Sequence, residues 1–134
     1  PLALVVTPNL PEAEVILERK IENISDMKEA AIQIHKLGPK NVVIKGGHLA
    51  GEATDVFYDG RNFTFWEGTR VNTKNTHGTG CTFSSAIAAH IAQGYLVPEA
   101  VKAAKKYIQG AIENSLPLGQ GVGPTNHFFN CKFF

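Results

Sequence analysis

The sequence predicts an α/β fold in which parallel strands are flanked by an antiparallel hairpin at one edge. The run 2–6 is apolar throughout and the run 41–45 is apolar at its centre, and both are rich in branched side chains, which is typical of parallel strands buried on both faces. Stretches with helical periodicity lie between and after these runs. The Asp-Gly-Arg tripeptide at 59–61 separates two further strand-like runs and indicates a hairpin. With 134 residues, the chain is predicted to form a single domain, 1–134.

The first strand-like run leads into two predicted helices. Residues 10–17 open with Pro11 and Glu12, and proline and acidic residues are both favoured in a first helical turn. The second helix is predicted to start at a Ser25 cap and to end at Gly38. Because a strand, helical sequence and a second strand follow one another, a parallel pair joined by a right-handed crossover is expected. The apolar stripe of the second helix is predicted to consist of Met27, Ala30, Ala31, Ile34 and Leu37.

After the second strand, the sequence predicts a hairpin and two more helices. The hairpin strands are expected at 54–58 and 62–66, and alternation in the second strand places Phe63 and Phe65 on one face. Residues 81–93 carry small and apolar side chains on nearly every side, which predicts a buried helix. A last amphipathic helix is expected over 98–115. Its inward residues are predicted to be Val101, Ala104, Ile108, Ala111 and Ile112.

Composition and charge argue against several classes of function. A net charge of +1 gives no reason to expect nucleic acid or a membrane surface as partner. No apolar run approaches the roughly 18 residues of a membrane-spanning helix. Cys81 and Cys131 lie far apart, which favours reduced thiols in the cytoplasm over a disulfide framework or a paired-cysteine metal site. His48, His77 and His127 lack zinc-ligand spacing, and no Walker-type phosphate loop occurs.

A glycine-punctuated turn precedes the predicted buried helix. Gly78 and Gly80 allow the backbone to turn tightly and a ligand to approach, and Cys81 stands at the helix start. The first amides of a helix have no internal acceptor and lie at the positive end of its dipole, so the turn predicts an anion site. Two alternatives stay open on these residues. The turn could be structural with Cys81 inert, or Cys81 could be the nucleophile of a hydrolase with His48 or His77 as base.

Polar groups also stand near the carboxyl ends of the predicted parallel strands, at Asn9, Glu12, Lys45 and Gly46. These ends meet at one edge of a parallel sheet, so the groups are expected to lie near the turn at 78–81. The set suits phosphoryl transfer, which needs a divalent cation, positive charge on the phosphates and preorganised amides. Glu12 is the candidate Mg²⁺ ligand and Lys45 the candidate for neutralising phosphate charge. Each also has a structural alternative, Glu12 as a helix-start acid and Lys45 as a solvated lysine.

Several strings of the sequence resemble the ribokinase-like superfamily of ATP-dependent small-molecule kinases, namely those at 9–12, 45–48 and 78–81. Within it, the chain is similar to the hydroxymethylpyrimidine/phosphomethylpyrimidine kinases of thiamine biosynthesis, on the strings at 7–14, 77–82 and 121–127. Sugar kinases of the superfamily carry aspartate at the position of Cys81. The resemblance spans the whole chain but matches only the C-terminal half of such enzymes. It implies the C-terminal half of a three-layer α/β/α fold.

The resemblance implies that the γ-phosphate of ATP is transferred to the hydroxymethyl group of the pyrimidine and then to the phosphate of the product. ATP and Mg²⁺ are the implied cofactors, with Glu12 serving the metal. The implied anion hole, with Cys81 closest to the acceptor, consists of Gly78, Thr79, Gly80 and Cys81. The implied nucleotide-binding residues are Asn9, Lys45, Gly46 and Thr76. Some relatives of this kind also accept pyridoxal.

The short length leads to expectations about partners. Because the chain starts at Pro1 and matches half of its family, a fragment or a naturally short relative is expected. The pyrimidine pocket would then lack one wall, and a sheet edge would be open to pairing. We therefore expect a homo-oligomer or association with an N-terminal half. A catalytically silent nucleotide-binding module or assembly subunit is the second functional hypothesis.

Overall fold

A computed structural model describes residues 2–47 and 53–131, and the chain divides into two compact units, Pro1–Arg70 and Val71–Phe134. The expectation of one domain at 1–134 stays a prediction. Within the described ranges, no helix combines the length and the apolar character needed to cross a bilayer. His48, named as an alternative base, lies outside the described residues.

The first unit contains a four-stranded mixed sheet with two helices. The strands are β1 (Val5–Val6), β2 (Asn41–Ile44), β3 (Asp55–Tyr58) and β4 (Phe63–Trp66), in the spatial order β1-β2-β3-β4. The first pair is parallel, with Val5 opposite Asn41, and the two following pairs are antiparallel. A parallel pair flanked by an antiparallel hairpin is therefore confirmed. Only two residues of the run 2–6 pair as a strand, and β1 and β4 are the edges of the described sheet.

The helices of this unit are α1 (Leu10–Leu17) and α2 (Ile24–Lys36). The prediction that Ser25 caps the second helix is wrong. The N-cap is Asn23, whose side-chain oxygen accepts a hydrogen bond from the Asp26 amide at 2.9 Å. Asparagine satisfies a first-turn amide as serine would, and its position two residues earlier lengthens the helix. Leu37, predicted to lie in the apolar stripe, is instead the C-cap and is 60% exposed.

The core of the first unit lies between the two helices and the sheet, and α2 packs against β2 and β3. Side chains without solvent exposure come from the middle of α2 and from the central strands: Met27, Ala30, Ala31, Val42, Ile44 and Val56. The predicted stripe of α2 is thereby confirmed for its first four members. An apolar strand pair buried under an amphipathic helix is the main source of stability in such a layer.

The second unit contains α3 (Thr79–Ala92) packed against α4 (Val97–Glu113). The helix predicted at 81–93 starts two residues earlier, so Cys81 is its third residue. The prediction of a helix buried all round is wrong, because only Phe83 and Ile87 are buried in α3. Within this unit α4 is the helix that packs along α3, so the small side chains on its other sides face solvent.

The amphipathic pattern of α4 is confirmed by Val101, Ala104, Ile108 and Ala111, which are buried. The glycine-rich segment after α4 folds back onto its own unit. The amide of His77 donates to the carbonyl of Gly123, and the amide of Asn126 donates to the carbonyl of Ala111. These bonds bring the closing motif at 121–127 beside the residues that precede α3.

Candidate functional site

In the first unit, Asn9 and Glu12 form a reciprocal capping box at the start of α1. The side-chain oxygen of Asn9 accepts from the amide of Glu12 at 2.8 Å, and Oε2 of Glu12 accepts from the amide of Asn9 at 2.8 Å. Both acceptors satisfy amides that the helix itself leaves without partners. Glu12 is exposed. The helix-start role considered for Glu12 is thus observed, and its other carboxylate oxygen, Oε1, has no hydrogen-bond partner among the described residues.

Lys45 lies beside this capping box. Its amide donates to the carbonyl of Pro8 at 2.9 Å, and Lys45 forms an isolated parallel bridge with Asn9. No described residue makes a hydrogen bond or ion pair with the Lys45 ammonium group. The structure therefore brings three of the predicted site residues, Asn9, Glu12 and Lys45, to one end of the β1–β2 pair.

Gly46 is buried and donates its amide to Oδ1 of Asp55 at 2.9 Å. Sequence reasoning did not single out Asp55, although a carboxylate opening the apolar run at 55–58 was a visible signal. A glycine is required at position 46 because a Cβ there would overlap the carbonyl oxygen of Thr54. The Gly46 amide is thus engaged within the fold, and the predicted role of Gly46 in nucleotide binding stays a prediction.

In the second unit, Gly78 is the N-cap of α3 and has the left-handed backbone conformation, with φ of 80°. No side chain caps this helix. The amides of Gly80 and Cys81 have no acceptor among the described residues, whereas the Thr82 amide is bonded to Gly78. Two unpartnered amides at the positive end of a 14-residue helix form an arrangement suited to an anion.

Hydroxyl groups brace this turn. Thr79 Oγ1 donates to the carbonyl of Thr76 at 2.5 Å, and Thr82 Oγ1 donates to the carbonyl of Gly78 at 2.8 Å. Both bonds tie side chains of the first helical turn to the backbone just before it. Thr76 thus lies in the turn as predicted, and its carbonyl oxygen is engaged by Thr79. The backbone amides are held in place before any ligand arrives.

An open cavity of about 630 Å³ borders α3 and begins at Gly78 and Cys81. Three aromatic or imidazole side chains that sequence reasoning did not assign to a site also line it, namely His90, Tyr107 and His127. The Tyr107 hydroxyl donates to the carbonyl of His127 at 2.8 Å, which fastens the closing motif to α4. The small residues spaced along α3 indicate an open face of the helix. The expectation from the sequence instead attributes them to burial of α3 on every side.

Three buried side-chain atoms of this unit have no hydrogen-bond partner among the described residues: Asn75 Oδ1, His90 Nδ1 and Thr125 Oγ1. The first and the last lie on the two loops that the His77–Pro124 bridge pairs. Leaving a buried acceptor unpaired costs about 1–3 kcal/mol. The loops around the α3 N-terminus are therefore polar in their interior.

Other chemistries receive no support from the described residues. Cys81 is an exposed free thiol, and no hydrogen bond joins it to a histidine in the described ranges. A nucleophile and its base are expected within hydrogen-bond reach, so the cysteine hydrolase alternative has no observed pair. The same ranges contain no cluster of three or more metal-binding side chains. A magnesium ion that keeps most of its waters does not require such a cluster.

The carboxylate of Asp59 is a structural group in the β3–β4 turn. The backbone amides of Asn62 and then Arg61 hold the pKa of Asp59 below its ordinary value. Both amides donate to Oδ1, at 2.6 Å and 2.8 Å. Asp59 thus closes the β3–β4 turn through its carboxylate.

Comparison with known proteins gives a consistent family. The family described as phosphomethylpyrimidine kinase matches residues 1–126. The thiamine biosynthesis bifunctional protein of Geobacter sulfurreducens is 52% identical over 98% of the chain and 27% of that protein. The hydroxymethylpyrimidine/phosphomethylpyrimidine kinase of Rhizobium meliloti is 49% identical over 96% of the chain and 50% of that protein.

A solved structure agrees with these relatives. The ADP complex of Bacillus subtilis pyridoxal kinase superimposes with a TM-score of 0.91 at 48% identity, covering 96% of the chain and 49% of that kinase. The chain spans about half the length of the kinases it matches, and it corresponds to their C-terminal part. The fold expected from the resemblance is therefore confirmed for the part that the chain contains.

Proposed function

Because the chain belongs to the phosphomethylpyrimidine kinase family, we propose that it supplies the ATP side and the anion hole of a kinase acting on hydroxymethylpyrimidine and its monophosphate. The parent reaction moves the γ-phosphate of ATP to the hydroxymethyl group and, in a second round, to the phosphate of the first product. The chain's own part in both rounds is to bind, orient and neutralise the transferring phosphate.

The observation that carries this proposal is the turn at 78–81. The amides of Gly80 and Cys81 point out of a helix N-terminus without a partner, and hydroxyls of neighbouring residues hold the turn in place. Phosphoryl transfer depends mainly on such preorganised donors, which stabilise charge on the transferring group without reorganising. Gly78, Thr79, Gly80 and Cys81 would form the anion hole, with the Cys81 thiol beside the acceptor hydroxyl.

The residues at the end of the β1–β2 pair, in the first unit, would bind nucleotide phosphates. Lys45 would neutralise phosphate charge, and Asn9 and Glu12 would serve the phosphates and Mg²⁺. The fit is chemical, because carboxylate and amide oxygens are the ligands that Mg²⁺ takes in proteins, often only one or two of them. Mg²⁺, when bound, lowers the negative charge between the phosphates. Thr76 would contribute to nucleotide binding from the turn before α3.

One experiment separates this proposal from the hypothesis of a catalytically silent module. Mg-ATP binding is measured by calorimetry, and ADP release is measured in a coupled assay with hydroxymethylpyrimidine or its monophosphate. Turnover supports the kinase. Binding without turnover favours a nucleotide-binding module, and the absence of both contradicts the proposal.

Pyridoxal is the second candidate acceptor. The chain is 48% identical to a Bacillus subtilis pyridoxal kinase and 49% identical to a pyridoxine kinase of that organism. The same coupled assay with pyridoxal and with pyridoxine tests this candidate. A higher kcat/KM for either of them than for the pyrimidine would reverse the order of the two proposals.

We expect Glu12→Gln and Glu12→Ala to separate metal binding from helix capping. Glutamine can keep the reciprocal bond to the Asn9 amide, so Glu12→Gln should leave the free energy of unfolding within about 0.5 kcal/mol of wild type. Glu12→Ala should cost about 1 kcal/mol, as the loss of a cap usually does. Both variants should weaken the dependence of ATP binding on Mg²⁺. Chemical unfolding and Mg²⁺ titration measure the two effects, and an unchanged Mg²⁺ dependence in Glu12→Gln would assign Glu12 to the cap alone.

We also propose that the chain self-associates through the β1 edge. No described strand pairs with the outer side of β1, and large apolar side chains flank it, with Leu4 42% exposed and Leu37 60% exposed. An open apolar groove of about 560 Å³ runs beside the same strand, between Val6 and Leu37. Unpaired strand edges with apolar surroundings are templates for pairing with a second chain.

Leu4→Lys is expected to shift the chain from dimer to monomer in sedimentation at about 10 μM, because charge on an edge strand opposes pairing. The matched control is Phe65→Lys on β4, the other edge, where the native side chain is 45% exposed. Phe65→Lys should leave the sedimentation profile unchanged. A monomeric wild type, or loss of the dimer only in Phe65→Lys, would contradict the assignment to β1.

A further inference from the structure

Asp55, the first residue of β3, is the one buried charged residue among the described residues and is 9% exposed. Removing a carboxylate from water is unfavourable unless hydrogen bonds or charges compensate for the lost hydration. A buried aspartate at the end of a strand therefore needs a hydrogen-bond donor or a positive charge that compensates for the hydration it has lost. One such partner is the backbone amide of Gly46.

The bond from Gly46 to Asp55 orients the peptide group that joins Lys45 to Gly46. On the N-terminal side of Lys45, its own amide donates to the carbonyl of Pro8 at 2.9 Å. The backbone of Lys45 is thus held by one hydrogen bond before its Cα and by another after it. The parallel bridge between Lys45 and Asn9 includes the bond to Pro8.

The surroundings of Gly46 leave little room for another conformation. Gly46 is buried, and a Cβ at this position would overlap the backbone of Thr54. The guanidinium group of Arg70 donates to the carbonyl of Gly47 at 3.1 Å and holds the following residue. The strand end at 45–47 is therefore fastened at each of its residues.

We propose that Asp55 is a positioning residue for the nucleotide phosphates, acting through the Gly46 amide on the backbone of Lys45. This inference rests on the proposed role of Lys45 as the residue that neutralises phosphate charge. A lysine side chain is flexible, so the position of its backbone sets the region that the ammonium group can reach. Because catalytic and binding groups lose much of their effect when displaced by about 1 Å, the anchor matters as much as the charge.

The test compares Asp55→Ala and Asp55→Asn with the matched control Asp59→Ala. Asp59 also accepts backbone amides in the first unit, but it closes the hairpin turn and has no proposed part in binding. Mg-ATP affinity is measured by calorimetry, KM values for ATP and for the acceptor are measured in the coupled assay, and unfolding is followed in urea. These readouts separate a change in the nucleotide site from a general loss of stability.

Asp55→Ala is expected to weaken Mg-ATP affinity about tenfold and to raise the KM for ATP, with little change in the KM for the acceptor. Asp55→Asn should restore affinity to within about threefold of wild type, since its side-chain oxygen can accept from the same amide. Asp59→Ala should lower stability and leave Mg-ATP affinity unchanged. If Asp55→Ala does not fold, Asp55→Ser provides the comparison, because its shorter side chain does not reach the Gly46 amide at the same distance.

Equal Mg-ATP affinity in wild type and a folded Asp55→Ala or Asp55→Ser variant would overturn this inference and leave the proposed function standing. An equal loss of Mg-ATP affinity in Asp59→Ala would overturn it too, because the loss of affinity would then follow from lower stability and not from the position of Lys45. A folded wild type that binds no Mg-ATP would overturn the proposed function and this inference together.

Discussion

Replacing Gly46 with alanine is expected to destabilise the fold by about 3 kcal/mol, at the upper end of the range for overpacking a filled interior. The added Cβ would overlap the carbonyl oxygen of Thr54, which is backbone and cannot rotate away as a side chain could. The chain at 46 and the start of β3 would have to separate, and the bond from Gly46 to Asp55 would lengthen or break. The midpoint temperature of thermal unfolding, Tm, should fall by roughly 10 °C.

Gly47→Ala is the matched control for this prediction. Gly47 is the next residue, it is exposed, and an added Cβ would meet no atom within 4 Å. The variant should be neutral or more stable by up to about 1 kcal/mol, because alanine restricts the unfolded chain. Similar midpoints in urea for Gly46→Ala and Gly47→Ala would show that the strand end at 45–47 adapts, which would contradict the close packing described for it.

Cys81→Ala is expected to lower kcat by about 100-fold or more, the range in which a positioned acid or base usually contributes. In the proposed site the thiol lies beside the acceptor hydroxyl, at the position where sugar kinases of the superfamily carry aspartate. The backbone amides of Gly80 and Cys81 remain in the variant, so the dissociation constant for Mg-ATP should stay within about threefold of wild type. The measurement is a coupled assay together with calorimetry, on a form of the protein that turns over.

The control for this second prediction is Cys131→Ala, which removes the other exposed free thiol. Its kcat should match that of wild type. If Cys81→Ala also kept the wild-type kcat, the thiol would have no part in the reaction, although the anion-hole proposal for the backbone amides would stand. A large loss of Mg-ATP affinity in Cys81→Ala would instead place the thiol against the nucleotide.

Much of the first unit was predictable because local patterns and long-range packing agree there. The apolar run at 41–45, the stripe of α2 and the hairpin signal at 59–61 each led to the element that forms. The exceptions lie at ends of elements. Serine and asparagine are nearly equivalent as caps, so sequence alone could not choose Asn23 over Ser25.

The least predictable part was the exposure of α3. A helix with small and apolar residues on every side is buried only if other elements pack against every side. The sequence pattern of the helix does not show how many elements pack against it. In the described second unit α4 packs along α3, and the face that begins at Cys81 borders an open cavity. His90, Tyr107 and His127 come from three separate parts of the chain, so their common cavity had no local signature.

By itself, the sequence determined the strands, the helices, the glycine turn at 78–81 and the family, because these depend on residues that are neighbours in the chain. Tertiary structure decided which backbone amides have a hydrogen-bond acceptor within the fold and which amides remain without one. It engaged the Gly46 amide with Asp55 and left the amides of Gly80 and Cys81 without acceptors. Hydrogen-bond partners distant in sequence meet only after the strands pair and the helices pack, so no local pattern encodes them.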